Sequence, residues 1–257
     1  VTSWDPGLYN RFKIYRDRPA IDLIVQIPSN RTFTRIVDLG CGTGEQAAVL
    51  STRHPMAQVT GLDSSPQMLE RALARAVPVT WVLGDIADYA PDPPPDLIFT
   101  NAALQWLPDH ETLIPRLVGM LPEGGVFACQ MPLSHAEPWH VALRATAAEG
   151  PWADRLKDAR GLTPLLSAEG YYRLLAPLAE VDIWSTTYVH VLEGDDPIVD
   201  WMRGTGLRPY LDRLPEPELR EAFLEAYRAR LKPHFPVEPD GVTLFSFPRL
   251  FILAQRI

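Results

Sequence analysis

The hydrophobic pattern changes character along the 257-residue chain. From residue 35 to 133, short apolar runs alternate with amphipathic stretches. Ile36-Val37, Gln58–Asp63, Val79–Leu83, Asp96–Thr100 and Gly125–Met131 read as strands. Glu45–Arg53 reads as a helix. A second helix starts at Ser64-Ser65-Pro66 and shows an apolar face of Met68, Leu69, Ala72, Leu73 and Ala76. Strands alternating with helices predict a parallel sheet. Residues 1–34 form a leader whose Ala20, Leu23, Ile24 and Ile27 share a helical face. Beyond Pro132 the pattern shifts. Residues 134–178 read as helical and loop-rich, and 180–192 alternate as a long strand. Residues 194–237 are helical, with Leu219, Phe223, Tyr227 and Leu231 at four-residue spacing, and 242–257 form a last strand. A single domain over 1–257 with a helical elaboration fits this length better than two independent domains.

The chemistry-bearing residues fall at the strand ends. The first strand runs into Asp38-Leu39-Gly40-Cys41-Gly42-Thr43-Gly44. Glycines at alternate positions permit a tight turn and close approach of a ligand to the backbone. The Gly-x-Gly-x-Gly spacing differs from the dinucleotide fingerprint, and Asp38 would repel a pyrophosphate. It suits loop N–H groups or a cation instead. Asp63 ends the second strand about 20 residues on, where a carboxylate can accept from both hydroxyls of a ribose. Gly84-Asp85-Ile86 follows the third strand, and Asn101 with Ala102 to Trp106 follows the fourth.

Taken in order, these motifs resemble those of the class I S-adenosylmethionine (SAM) methyltransferases. The resemblance implies an α/β, Rossmann-like fold. Its seven-stranded sheet is mostly parallel with an antiparallel last strand, and residues 134–178 and 194–237 would be a helical lid or insertion. It implies SAM as cofactor and S-adenosylhomocysteine as product. The cofactor would contact Asp38, Gly40, Gly42, Gly44, Asp63, Ser64, Met68, Asp85, Ile86 and Asn101, with Tyr9 and Arg16 of the leader as a cover.

Composition narrows the acceptor. Formal charge is −8, with no clustering of the 24 Lys and Arg residues, which argues against nucleic acid. Asn101-Ala102-Ala103-Leu104 also lacks the Pro-Pro-aromatic pattern with which amino-methylating DNA enzymes of this family grip a flipped base. No apolar run is long enough to span a bilayer. Two cysteines, Cys41 and Cys129, make no disulfide framework and favour a reducing cytoplasm. The six histidines show no metal spacing, so no metal is expected. A monomer is expected, with a dimer as the alternative.

Segments outside the cofactor motifs resemble a branch of the family that forms the monomethyl ester of a small tricarboxylic acid. They include Trp4-Asp5-Pro6, Arg16–Ala20, Leu104–His110, Gln130-Met131-Pro132, Gly206–Pro209 and Phe247–Phe251. A carboxylate with a pKa near ~4 is already ionised, so it needs no general base, and no catalytic residue is assigned. The task is to hold a tri-anion on an acidic protein. Arginine forks suit that task, which points to Arg16, Arg18, Arg208 and Arg249, supplemented by Tyr188, His190 and His140. Trp106 is either a core residue or a wall beside the transferred methyl. Two alternatives stay open: another small carboxylic acid, acyl-carrier thioester or phenol as acceptor, and a non-catalytic SAM-binding regulator.

Overall fold

In the computed structural model, which describes residues 13–159 and 164–257 (and only the backbone of 13, 14 and 16), seven strands and ten helices follow in order. Helix α1 (Lys13–Gln26) precedes β1 (Arg35–Leu39), α2 (Glu45–Arg53), β2 (Gln58–Asp63), α3 (Pro66–Leu73) and β3 (Val79–Leu83). Then come β4 (Leu97–Asn101), α4 (His110–Met120), β5 (Val126–Pro132), α5 (Pro138–Ala148), α6 (Ala153–Leu156) and α7 (Ala168–Leu175). The chain ends with β6 (Ala179–Leu192), α8 (Pro197–Arg203), α9 (Arg208–Leu211), α10 (Pro217–Leu231) and β7 (Thr243–Arg256). Strand order in the single sheet is β3-β2-β1-β4-β5-β7-β6. The β1–β2, β1–β4, β2–β3 and β4–β5 pairs are parallel and β5–β7 is antiparallel. This is the expected Rossmann-like α/β architecture. Buried runs on β1, β4 and β5 follow from their central position, where both faces are covered. The edge strand β3 is half exposed.

The chain divides into two units. The sheet unit comprises Arg18–Pro132, Leu165–Thr186 and Arg249–Ile257. Its α1 residues Ala20, Leu23, Ile24 and Ile27 are all buried, as their shared face predicts. Arg53, on α2, donates to the Ile24 and Ile27 carbonyls, which satisfies the orphan acceptors at the end of α1. Helix α3 begins as expected: the Ser65 hydroxyl accepts from the Met68 N–H, and Pro66 occupies the first turn. Its apolar face is shorter than periodicity predicts. Leu69 and Ala72 are buried, but the helix stops at Leu73, which is 66% exposed, and Ala76 lies beyond it. The helical stretch expected over 134–178 is shared out, with α7 in the sheet unit.

The helical unit has its described residues within 13–17, Leu133–Pro164 and Thr187–Pro248. It has its own core, in which Trp139, Trp201, Phe223, Tyr227, Phe245 and Phe247 pack together. The Tyr227 hydroxyl donates to the Trp139 carbonyl at 3.0 Å, so the deepest tyrosine leaves no unsatisfied donor. Phe223, Tyr227 and Leu231 of α10 are buried, as their spacing predicts. Among the described residues no helix is long and apolar enough to cross a membrane.

Candidate active site

In the sheet unit the predicted strand-end groups converge at the carboxyl ends of β1 to β4. Gly40, Gly42 and Gly44 all take positive φ, which a side chain resists. Two of them are also sterically required. A Cβ on Gly40 would lie 2.3 Å from that of Ala103, and one on Gly44 would lie 2.4 Å from the Trp81 ring. The loop is stitched to β2. The N–H groups of Gly40 and Cys41 donate to the Leu62 carbonyl at 2.8 and 3.0 Å. Gly42 N–H donates to one Asp63 oxygen, and Ser65 N–H to the other, both at 2.8 Å. Each Asp63 oxygen retains a lone pair, so the carboxylate is oriented by the fold and can still accept from two hydroxyls. Ser64, beside it, is exposed, and Met68 is half-buried.

Asp38 lies beneath the loop, 2% exposed. Burial pushes its carboxyl up to about 8, the Ala47 N–H partly offsets this, and the charges of Asp63 and Glu45 add to the rise. One of its oxygens is buried with no hydrogen-bond partner. Such a carboxyl keeps its proton at neutral pH in the free protein, and a cationic donor at its unmet oxygen would favour the ionised, accepting form.

Asp85 caps the short turn Ile86–Asp88, with one oxygen accepting from Ala87 N–H at 2.8 Å; Ile86 is buried. Asn101 ends β4 with its side-chain oxygen buried and unpartnered. Ala102 follows at φ 52, unusual for a residue with a side chain. Two bonds hold it there: its N–H donates to the Gln130 carbonyl at 2.9 Å, and its own carbonyl accepts from the Gln105 amide at 2.6 Å. Trp106 is 40% exposed, so of its two expected roles the core role is excluded.

Three fixings escape sequence reasoning. Arg75 donates to the Thr43 carbonyl and pairs with Glu45, clamping the glycine loop from outside. Arg116 donates to the carbonyls of Tyr89, Ile86 and Ala87 at 2.7 to 3.0 Å, which immobilises the segment after Asp85. His110 bridges the Leu104 carbonyl at 2.8 Å and the Tyr171 hydroxyl at 2.7 Å; an Nε2 proton then leaves Nδ1 to accept from the tyrosine. All three join residues distant in sequence, and nothing local announces them.

The expected acceptor-binding residues are distributed between the units. Arg249 is buried on β7, opposite Pro132 at the end of β5, and Arg18 is exposed on α1; both belong to the sheet unit. Tyr188, His190, His140 and Arg208 belong to the helical unit. His190 is 2% exposed within an aromatic cluster, 4.7 Å from the Tyr15 ring and stacked on Trp201 at 4.9 Å. Tyr188 is also buried. His140 is held neutral: burial drops its pKa to about 4, with Arg144 and His135 contributing. Arg208 is exposed at the start of α9. Tyr9 lies outside the described residues, and of Arg16 only the backbone, within α1, is described. No group of three or more His, Cys, Asp or Glu is arranged to hold a metal among the described residues.

Comparison with known proteins agrees with this arrangement. The model of a methyltransferase domain matches residues 36–125. The trans-aconitate 2-methyltransferase of Methylobacterium radiotolerans is 48% identical, over all of this chain and 99% of the relative. Those of Variovorax paradoxus and Escherichia coli are 48% and 42% identical, over 100% of this chain and 99% and 100% of their own lengths. Among solved structures, the YcgJ protein of Bacillus subtilis superposes with a TM-score of 0.61, covering 93% of this chain and 98% of that one, at 17% identity; this likeness concerns the fold alone. With relatives this similar from end to end, the chain belongs to the trans-aconitate 2-methyltransferase family of class I methyltransferases.

Proposed function

We propose that this methyltransferase binds SAM at the ends of β1 to β4 and esterifies one carboxylate of trans-aconitate, releasing the monomethyl ester and S-adenosylhomocysteine. The observation that carries the reading is the end-to-end match to trans-aconitate 2-methyltransferases, which extends far beyond the cofactor motifs.

The residues present fit the cofactor. Asp63 offers two oriented acceptors that would hold ribose hydroxyls, Asp85 has a second oxygen that would accept from the adenine amino group, and buried Ile86 would supply an apolar neighbour. The unmet oxygens of Asp38 and Asn101 suit the donors of an ammonium group. When bound, SAM supplies an electrophilic methyl carbon on a sulfonium. A carboxylate oxygen of the acceptor would take that methyl, the C–S electron pair would leave with sulfur, and no proton would have to move. The chain therefore needs no general base. It has to align the acceptor, exclude water and hold the two spectator carboxylates. Buried Arg249 is the leading residue for the last task, because a guanidinium stays charged when buried and grips carboxylates with two bonds.

The same reading assigns the enzyme to the cytoplasm, as a monomer acting on a small molecule. Both thiols, Cys41 and Cys129, are buried and unpaired, and burial raises their pKa values, which keeps them unreactive. Calorimetry tests the cofactor half of the reading: SAM binding without NAD binding supports it, and the reverse contradicts it. Turnover that persists in a chelator supports the metal-free step.

A further inference from the structure

Gln130 is the most conspicuous unmet polar group in the sheet unit. Its side chain is 1% exposed, yet neither its amide nitrogen nor its amide oxygen has a hydrogen-bond partner. A buried amide without partners is destabilising, and a bound acceptor would satisfy its nitrogen. Its neighbours on the sheet do not. On one side Gln130 is in register with Asn101 of β4, whose side-chain oxygen is itself unpartnered. On the other side it opposes Phe251 of β7, an apolar ring stacked on Trp184 at 4.9 Å. Gln105, which is tied to Ala102 next to Asn101, adds another buried oxygen without a partner.

The position defines the ligand. The cofactor groups occupy the ends of β3, β2, β1 and β4, and the next strand in the sheet is β5. A methyl acceptor has to abut the cofactor, and Gln130 lies near the carboxyl end of β5, in the same row as Asn101. Side chains two residues apart on a strand share a face. Arg249, which opposes Pro132, therefore lies on the same face as Gln130, two residues nearer the strand end.

We propose that Gln130 binds the reacting carboxylate of the acceptor, its amide N–H donating to the oxygen that is not methylated. This inference rests on the proposed carboxyl methylation. The chemistry favours a neutral donor at that point. The reacting carboxylate loses its charge as the ester forms, so a guanidinium there would stabilise the ground state more than the transition state. An amide orients the group and leaves the other oxygen nucleophilic. Arginine is then kept for carboxylates that stay charged.

The test compares Gln130→Leu, Gln130→Glu and Gln130→Arg in the full chain. Gln130→Leu removes two unmet polar atoms at similar volume, so thermal stability should equal or exceed that of the wild type, and calorimetric affinity for S-adenosylhomocysteine should match it. Its kcat/KM for trans-aconitate should fall roughly 10- to 100-fold, as expected for losing a hydrogen bond to a charged group. Trans-aconitate binding to the S-adenosylhomocysteine complex should weaken in parallel. Gln130→Glu should lose more, through repulsion. Gln130→Arg should bind trans-aconitate more tightly yet turn over more slowly, a split that a structural role would not produce. Gln130→Leu with lower stability and unchanged kcat/KM would mean that the amide serves a buried water, and would overturn the proposal. If the wild type ignores trans-aconitate but esterifies another acid, the substrate reading fails alone. Gln130 is then judged by the same variants on that acid, and unchanged kinetics there overturn it.

Discussion

The sheet unit and the helical unit both bury polar atoms without hydrogen-bond partners, Ser134 Oγ and Trp139 Nε1 among those of the helical unit, but they surround them differently. At the ends of β1, β4 and β5 the sheet unit leaves atoms of Asp38, Asn101 and Gln130 unmet, and it holds the loop around them with Asp63, Arg75 and Arg116. In the helical unit the candidate side chains His190 and Tyr188 are absorbed into an aromatic core with Trp201, Phe245 and Phe247. The difference teaches where ligand chemistry resides. Unmet hydrogen bonds beside a reinforced backbone mark a site awaiting a ligand, whereas rings stacked on rings mark packing. Asn101, Asp38 and Gln130, which lie at strand ends beside the clamped loops, are therefore stronger candidates than His190, whose ring is packed against Tyr15 and Trp201.

The largest expected effect tests the reinforcement. Gly44→Ala places a methyl group 2.4 Å from the Trp81 ring at φ 82, combining left-handed strain with overpacking. It should cost about 2 kcal/mol or more and abolish SAM binding, read by thermal melting and calorimetry. Asp63→Ala comes next. It strands the Gly42 and Ser65 N–H groups and should weaken SAM by roughly 1–3 kcal/mol, whereas His190→Phe should leave SAM affinity unchanged. Equal losses in the two variants would erase the distinction between the units.

The pH dependence of stability should separate the units by sign. His140, in the helical unit, titrates at 6.5 when unfolded and at about 4 when folded. As pH falls through that window the unfolded state takes up the proton first, so up to about 3 kcal/mol of stability is lost. Asp38, in the sheet unit, titrates at 3.8 when unfolded and at about 8 when folded. The folded state keeps its proton longer, so stability in the absence of ligand falls as pH rises from 4 to 8. The two slopes oppose each other between pH 4 and 6.5, so His140→Leu should leave a melting temperature that falls from pH 4 to 8, and Asp38→Asn one that rises from pH 4 to 6.5.

The smallest contrast is between two arginines. Arg249 is buried on β7, and Arg208 is exposed on α9. Replacement by Lys keeps the charge and loses the fork. Arg249→Lys should lower kcat/KM for the tricarboxylate about tenfold, on the scale of a charge-assisted hydrogen bond. Arg208→Lys should change it by less than about threefold, as for exposed ion pairs.

Much of this was legible in the chain because its signals are local. The glycine loop and the acids at Asp63 and Asp85 are announced by turn residues at the strand ends, and the long strand β6 betrays itself by alternation. The early end of α3 was not legible. Periodicity carries the apolar face to Ala76, but the chain turns off at Leu73, and Arg75 reaches back to Thr43 and Glu45. Trp81 is hidden for the same reason: its ring fills the space over Gly44 and Gly61, a contact set by the sheet rather than by local spacing. Gln130 read as part of a strand and of a segment that carries the resemblance, with no role attached; its register with Asn101 and its lack of partners single it out.

Carboxyl methylation is the proposed work of the groups at the sheet ends. Its most direct measurement is mass spectrometry of trans-aconitate after incubation with the protein and SAM. A monomethyl ester and an equal amount of S-adenosylhomocysteine should form, also in the presence of a chelator. Binding of SAM with no ester of trans-aconitate or of any other small carboxylic acid would contradict that assignment.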